Sequence, residues 1–415
     1  MSVTPRQIPV HAPMQQFLVE DGELVIGGER LSLLAERVGQ TPFYAYDRAA
    51  LRARVASLRG TLPAGIKLHY AMKANPMPAV VGFMAGLVDG IDVASAGELK
   101  VALDAGADPL EVSFAGPGKR DSELRQAVAS RVLVNLESPR EVVALQKISA
   151  QLGLPARVAV RVNPDFELKG SGMKMGGGPK QFGVDVEQMP QLLADIGRAA
   201  GLAFEGFHLF AGSQNLRPES ICEAQEKSYA LAVRLAEHAP AAVRFLNLGG
   251  GFGVPYFPGE QRLALAPIAD NLARLLQRAK AELPQASFVI ELGRYLVAEA
   301  GVYVTRVVDR KISRGQVFLV TDGGLNHHLA ASGNFGQVVR KNYPVTIGNR
   351  LGGVDTEQVS VVGPLCTPLD LLADRMQLPV AGVDDLVVVF QSGAYGASAS
   401  PQAFLGHAAC PEVLV

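Results

Sequence analysis

Lys73 stands in the stretch His69-Tyr70-Ala71-Met72-Lys73-Ala74-Asn75, behind the alternating apolar residues Ile66, Leu68 and Tyr70. That alternation marks a half-buried strand, and Asn75-Pro76 closes it. An amine at the end of a buried strand is expected to lose hydration, which makes it a nucleophile suited to an aldehyde. Gly249-Gly250-Gly251 follow a second strand-like run, Arg244 to Leu248, where a glycine run frees backbone N–H groups to surround a phosphate. A dinucleotide fingerprint fits poorly. Counting from Gly249 or Gly251, Val254 or Tyr256 takes the third glycine's place, and Pro255 interrupts any helix that would follow. Glu291-Leu292-Gly293-Arg294 ends a third run. It reads either as a solvated ion pair or as two anchors, Glu291 for a protonated ring nitrogen and Arg294 for a phosphate or carboxylate. Gly363 to Asp370 places Cys366 and Asp370 in a turn-rich loop, and Ser392 to Gly396 offers the Tyr395 hydroxyl. His327-His328 speaks against a metal, because neighbours on a strand face opposite ways and no acidic residue has ligand spacing.

These groups need elements to hold them. The chain has 415 residues, 48% hydrophobic and 19% charged, with a formal net charge of -1. A core of that size suggests two domains, and the neutral balance gives no case for nucleic acid or an anionic membrane as partner. No apolar run approaches the ~18 residues of a membrane helix, and Met1 to Gln16 lacks the continuous apolar region of a signal peptide. Cys222, Cys366 and Cys410 are too few and scattered for a disulfide framework, so the expected location is cytoplasmic. From about Pro42 to Pro284 strands alternate with amphipathic helices. Asp47 caps a helix with Leu51, Val55 and Leu58 inside, Ser95 and Glu98 form a capping box, and Leu272, Leu275 and Leu276 line another helix. Such alternation predicts a parallel β/α barrel or a doubly wound sheet. After Pro284 strands dominate, including Ser287 to Ile290, Val302 to Val308 and Leu386 to Phe390, which predicts a largely antiparallel β domain. Leu18 to Ile26 is a further strand that could join it.

In this order the motifs resemble the fold type III pyridoxal-phosphate decarboxylases, the group of diaminopimelate and ornithine decarboxylases. The resemblance covers Tyr44 to Val415 and rests on Tyr70 to Asn75, Asp92-Val93-Ala94-Ser95, Gly212-Ser213-Gln214, Gly249 to Gly251, Glu291 to Arg294, Gly363 to Cys366 and Gly393 to Tyr395. It implies an alanine-racemase-like (β/α)8 barrel over 42–285 and a mostly antiparallel β domain over 286–415, joined by 1–41. It also implies a homodimer with active sites at the interface and pyridoxal 5'-phosphate as cofactor. By the same resemblance Lys73 binds the cofactor's aldehyde, and Asp92, Arg161 and Phe210 lie near the cofactor. Ser213, Gly249, Gly250, Gly251, Arg294 and Tyr395 hold its phosphate, Gly293 also contacts the cofactor, and Glu291 pairs with the ring nitrogen. Cys366, from the partner subunit, is the proton donor; Arg294, Cys366, Asp370 and Tyr395 contact substrate. A carboxylate at the ring nitrogen favours carboxylate loss over racemisation, since related alanine racemases carry an arginine there. An amino-acid racemase and a non-catalytic pyridoxal-phosphate carrier are the alternatives.

The departures concern substrate. Where the family has His-x-His, this chain has His208-Leu209-Phe210, so a phenyl ring takes the stacking position and cannot titrate. Thr367 replaces the glutamate that reads diaminopimelate's distal amine, and Ala330 falls where an arginine meets its distal carboxylate. Without both anchors the distal charges of diaminopimelate stay unpaired, at a cost of several kcal/mol, which excludes it as the expected substrate. Leu292 replaces a proline, with little expected effect. The glycine-rich stretch 169–180, with Lys169, Lys174 and Lys180, resembles a loop in a subgroup from antibiotic and exopolysaccharide clusters. Some members of that subgroup decarboxylate an amino acid tethered to an acyl carrier protein. The expected substrate is therefore an amino acid or aminoacyl conjugate, and the lysines would meet an acidic carrier or merely form a lid.

Overall fold

The computed structural model describes residues 9–167, 173–352 and 355–415. The chain divides into two compact units. One is Arg52–Gly253 with Leu263–Leu296; the other is Met1–Leu51 with Val254–Arg262 and Val297–Val415.

In the first unit eight parallel strands close on themselves: β1 (Ile66–Ala71), β2 (Gly90–Val93), β3 (Val112–Phe114), β4 (Leu133–Leu136), β5 (Ala156–Asn163), β6 (Leu202–His208), β7 (Phe245–Gly250) and β8 (Ser287–Leu292). Each pairs with the next, and β8 pairs with β1 through Phe288↔Ile66 to Leu292↔Tyr70. The helices between them are amphipathic. Ala266–Glu282 buries Ile268, Leu272, Leu275 and Ala279, spaced three and four residues apart, as a helix facing a core must. Ser95 caps Ala96–Asp104 by accepting the Glu98 N–H at 3.1 Å, while the Glu98 carboxylate accepts the N–H of Ala94, one residue before the cap.

Two irregularities shape the barrel's rim. Between β5 and β6 the register shifts, so that Phe204 faces Val158 but Gly206 faces Ala159. Gly206 adopts φ +156°, and a Cβ there would run into the Phe245 carbonyl oxygen. A second shift lies between Asn247 and Gly250 of β7, where Gly250 comes opposite Glu291. Such bulges re-aim side chains next to functional sites.

Barrel interiors are generally filled by branched aliphatic side chains. Here every strand also contributes a buried polar residue: His69, Asp92, Ser113, Asn135, Arg161, His208, Asn247 and Glu291, from β1 to β8 in turn. Half of them form one chain. His69 Nδ1 lies 3.1 Å from Asp92 Oδ1, the Ser113 hydroxyl donates to the same oxygen at 2.5 Å, and the Asn135 amide donates to Ser113 at 3.2 Å.

The second unit is mostly antiparallel. Gly301–Ser313 pairs antiparallel with Phe43–Tyr46, Gln316–Thr321 and Leu386–Val389, whereas Glu412–Leu414 joins Phe43–Tyr46 in parallel. The N-terminal strands Leu18–Glu20, Glu23–Ile26 and Glu29–Arg30 form a sheet of their own; Leu24 and Ile26 pack with Phe43, Val302, Val304 and Val388. Two segments fall differently from the sequence expectation. Ser287–Leu292, assigned above to the β domain, is the strand that closes the barrel, and Phe43–Tyr46, assigned to the barrel, belongs to the β unit. Both are short apolar runs, and periodicity carries no record of which neighbour they pair with.

His327 and His328 serve this unit's interior. His328 is fully buried; its Nδ1 accepts the Ala331 N–H at 3.2 Å and its Nε2–H donates to the Ser392 hydroxyl at 2.9 Å. Burial pushes its pKa down to about 3. The unfolded ring protonates near pH 6.5, so unfolding takes up a proton between those values and stability falls as pH drops through that window. We expect His328→Asn to remove a slope of up to about 1.4 kcal/mol per pH unit below pH 6.5, as measured by urea unfolding between pH 4.5 and 7.5.

Candidate active site

The C-terminal ends of the barrel strands bring the barrel's sequence-expected residues to one rim. Lys73 sits in a single 3-10 turn, Met72–Ala74, directly after β1. Its side chain is 46% exposed, so the burial expected for it is not found. Its Nζ lies 3.7 Å from Glu291 Oε1 and 5.6 Å from the centre of the Phe210 ring, neighbours that favour the charged ammonium. Gly293 packs against Ala71 and Ala74, where a Cβ would come within 2.8 Å of the Ala71 carbonyl oxygen. Close approach by a glycine after β8 thus keeps the Lys73 turn beside Glu291.

Glu291 is the most constrained group. It is 6% exposed, with Oε2 3.0 Å from His208 Nε2 and 3.4 Å from the Asn247 amide nitrogen. Burial alone would raise its pKa. The His208 contact and the charges of Lys73 and Arg161 outweigh that and hold the carboxyl well below its usual range. Asn247 also reaches the glycine turn, since its side-chain oxygen accepts the Gly249 N–H at 2.8 Å. Gly249 and Gly251 take φ of +69° and +70°, and a Cβ on any of the three glycines would meet backbone: Leu209 O, Glu291 O or Gly212 O. The turn lies against Phe210 and the Gly212-Ser213 strand, with the Asn215 N–H donating to Gly251 O at 2.9 Å.

Asp92 and Arg161 are placed by partners the sequence did not reveal. Asp92 follows Ala71 in register on the neighbouring strand and is held by His69 and Ser113. The Asp92 carboxylate in turn raises the His69 pKa, overcoming the opposite effect of burial. Arg161 stands opposite His208 in the ladder, donates to Glu137 at 3.2 Å and stacks on Phe182 at 4.8 Å. Glu137 accepts the N–H groups of Gly116 and Gly183 as well. Beside it Lys119 is 4% exposed and paired with Glu141 at 3.0 Å. Arg294 opens the short helix Arg294–Val297 after β8.

The other expected residues belong to the β unit. Cys366 is exposed and free. Asp370 is buried, and its carboxylate accepts the N–H groups of Leu325 at 2.6 Å and Leu365 at 2.8 Å. Its oxygens therefore organise the 363–370 loop. Thr367 helps close the same turn by accepting the Leu369 N–H, and Ala330 is buried. Tyr395 has φ +53° and lies beside Phe335, ring centres 6.4 Å apart. Of the stretch 169–180, residues 169–172 and the Lys174 side chain lie outside the described residues.

His208, Asn247, Glu137 and His69 were not singled out as site residues from the sequence. Their signal was polarity inside apolar runs, as in Leu246-Asn247-Leu248, which reads equally well as a strand with one wet face.

A parallel barrel with a lysine, a carboxylate and a glycine cradle at its C-terminal rim fits an aldehyde cofactor that carries a phosphate and a basic ring. Comparison with known proteins agrees. Residues 48–298 match the family model described as the pyridoxal-binding domain of pyridoxal-dependent decarboxylases. The chain is 39% identical over 380 residues to the L-glutamyl-[BtrI acyl-carrier protein] decarboxylase of Niallia circulans, covering 90% of this chain and 89% of that one. It is 33% identical over 382 residues to the diaminopimelate decarboxylase of Aquifex aeolicus, covering 91% and 87%. The crystal structure of diaminopimelate decarboxylase from M. jannaschii in co-complex with L-lysine superposes with a TM-score of 0.87 at 25% identity, over 97% of this chain and 93% of that one. The chain belongs to the pyridoxal-dependent decarboxylase family, with the alanine-racemase-like barrel and separate β unit expected of it. It is a pyridoxal-phosphate-dependent carboxy-lyase, and these relatives give no support to the racemase or carrier alternatives.

The glycine cradle yields a direct test. Gly249→Ala forces a side chain into a left-handed backbone against the Leu209 carbonyl. It should lower stability by more than about 1 kcal/mol in urea unfolding.

Proposed function

We propose that this enzyme removes the α-carboxylate of an aminoacyl group tethered to an acyl carrier protein. The observation that carries this is its greater identity to a glutamyl-carrier decarboxylase than to the diaminopimelate enzyme. Thr367 and Ala330 support the reading from within the chain. Neither offers a charge to the distal end of diaminopimelate, which would be left unpaired at a cost of several kcal/mol. Lys169, Lys174 and Lys180 are the residues we assign to an acidic carrier surface. The enzyme works in the cytoplasm on this reading, and no described helix is long and apolar enough to cross a membrane.

We assign the residue roles by the resemblance to the family, and the geometry at the rim supports those of Lys73, Glu291 and Gly249. Pyridoxal phosphate, when bound, supplies an aldehyde for the amine and a ring that accepts the electron pair left as the carboxylate departs. Lys73 provides the amine that holds it. Ser213, the N–H groups of Gly249, Gly250 and Gly251, Arg294 and Tyr395 hold the phosphate, and Gly293 also contacts the cofactor. Glu291, kept ionised by its neighbours, keeps a proton on the ring nitrogen. Phe210 packs on the ring without titrating. Asp92 and Arg161, each clamped by buried partners, complete the wall. Arg294 and Tyr395 also meet the substrate carboxylate.

Cys366 is the proton donor to the carbon that loses CO2, and it acts in the active site of a second copy. In support, the β unit exposes Phe335, Val338, Val339 and Leu369. These lie on two segments joined by hydrogen bonds from Asn334 to Leu369 O and from Arg340 to Leu371 O, the second of which carries Cys366. An apolar patch of this kind suits a homodimer.

Two measurements test the proposal. The loaded enzyme should release CO2 from glutamyl-carrier protein and not from free glutamate, lysine, ornithine, arginine or diaminopimelate. Release from a free amino acid at a comparable rate would overturn the tethered reading. Lys73→Ala and Cys366→Ala should each be inactive alone, and mixing the two should restore part of the activity by pairing an intact site across the subunits. Mixtures that stay inactive while dimers exchange would remove the shared site.

A further inference from the structure

We infer that His208 is a positioning residue for Glu291, fixing the carboxylate through one N–H donated from Nε2. The inference rests on the reading above that Glu291 faces the cofactor's ring nitrogen.

The geometry separates the two oxygens of Glu291. Oε1 faces the Lys73 ammonium at 3.7 Å, whereas Oε2 faces His208 Nε2 at 3.0 Å, with the Asn247 amide at 3.4 Å. Lys73 is the residue committed to the cofactor's aldehyde, so its amine is not a lasting partner for the carboxylate. Asn247 divides its side chain between Glu291 and the Gly249 N–H, and its contact with Glu291 is long. His208 is then the close neighbour whose only evident task is Glu291. The ring is 3% exposed and the carboxylate 6%, so bulk water has little access to the contact. A buried anion without a donor is costly, and the ordinary response is to take up a proton. A neutral Glu291 would no longer hold a proton on the ring nitrogen.

The proton's place on the imidazole follows from the surroundings. A bare Nε2 lone pair 3.0 Å from a carboxylate oxygen would be repelled, so Nε2 carries hydrogen. The Nε2 contact is close but bent, short of full hydrogen-bond geometry, and Nδ1 has no partner among the described residues. The backbone supports the same orientation. His208 lies opposite Arg161 on one side and Asn247 on the other, and the Leu209 N–H donates to Asn247 O at 2.9 Å.

The test reconstitutes cofactor-free enzyme with pyridoxal phosphate. It reads the dissociation constant and the pH midpoint of the visible absorbance in wild type, His208→Gln, His208→Leu and Glu291→Gln. A glutamine amide can replace the donor, so His208→Gln should stay within about threefold of wild type. His208→Leu should weaken binding roughly 10- to 100-fold, as loss of an outer-shell partner does elsewhere, and should shift the absorbance midpoint. If His208→Leu binds and titrates like wild type while Glu291→Gln is impaired, the positioning role is wrong. If Gln and Leu are equally impaired, ring shape matters and the N–H does not, which also overturns it. If Glu291→Gln itself behaves as wild type, the ring-nitrogen reading of Glu291 is what fails. Nitrogen-15 NMR of the wild-type histidines needs no variant to fold: a protonated Nε2 is expected for His208, and a bare Nε2 would refute the assignment.

Discussion

A negative charge at the mouth of a nearly dry barrel is the constraint around which this enzyme is arranged. Glu291 must stay ionised where burial opposes ionisation, and the surrounding elements act together to allow it. β6 brings His208, β7 brings Asn247, and the turn after β1 brings Lys73. Packing alone would favour aliphatic residues at such positions, as in most barrels. The buried polar side chains, at least one from each strand, show that this barrel gives up hydrophobic filling in exchange for oriented dipoles and charges. Interactions of this kind are stronger in a poorly solvated interior and need little reorganisation when charge appears on a bound molecule.

Much of this arrangement was legible in the residues. Lys73 after an alternating run, glycines after an apolar run and Glu291 near Arg294 point to one chemistry because each follows a strand, and parallel strands deliver their C-terminal ends to a common rim. What stayed hidden has a physical cause in each case. β3 is only Val112–Phe114, too short to show a period. Ser287–Leu292 and Phe43–Tyr46 exchange places between the units because a short apolar strand is compatible with any partner of matching register. The bonding of Asp370 stayed hidden because a sequence does not show that a carboxylate accepts two backbone N–H groups.

The two units divide the chemistry differently from the packing. The barrel supplies the groups expected to hold and tune the cofactor, and their geometry is over-determined: Glu137, for instance, bonds Arg161, Gly116 and Gly183 at once. The β unit carries Cys366 and Tyr395, proposed above to act on substrate and cofactor, on exposed or strained turns. The barrel residues thus form one group, and the turn residues of the β unit a second. Thr367 and Ala330, where this chain departs from the diaminopimelate pattern, both belong to the second group.

The register shift at Gly206 governs how such a site can change over time. Because one extra residue precedes it on β6, His208 and not Phe207 stands level with Arg161. Removing the one unpaired residue, Glu205, would give an unbroken ladder and leave His208 level with Arg161, whereas adding one must either widen the bulge or bring Phe207 level with Arg161. The strand's length is therefore tolerant in one direction and not in the other.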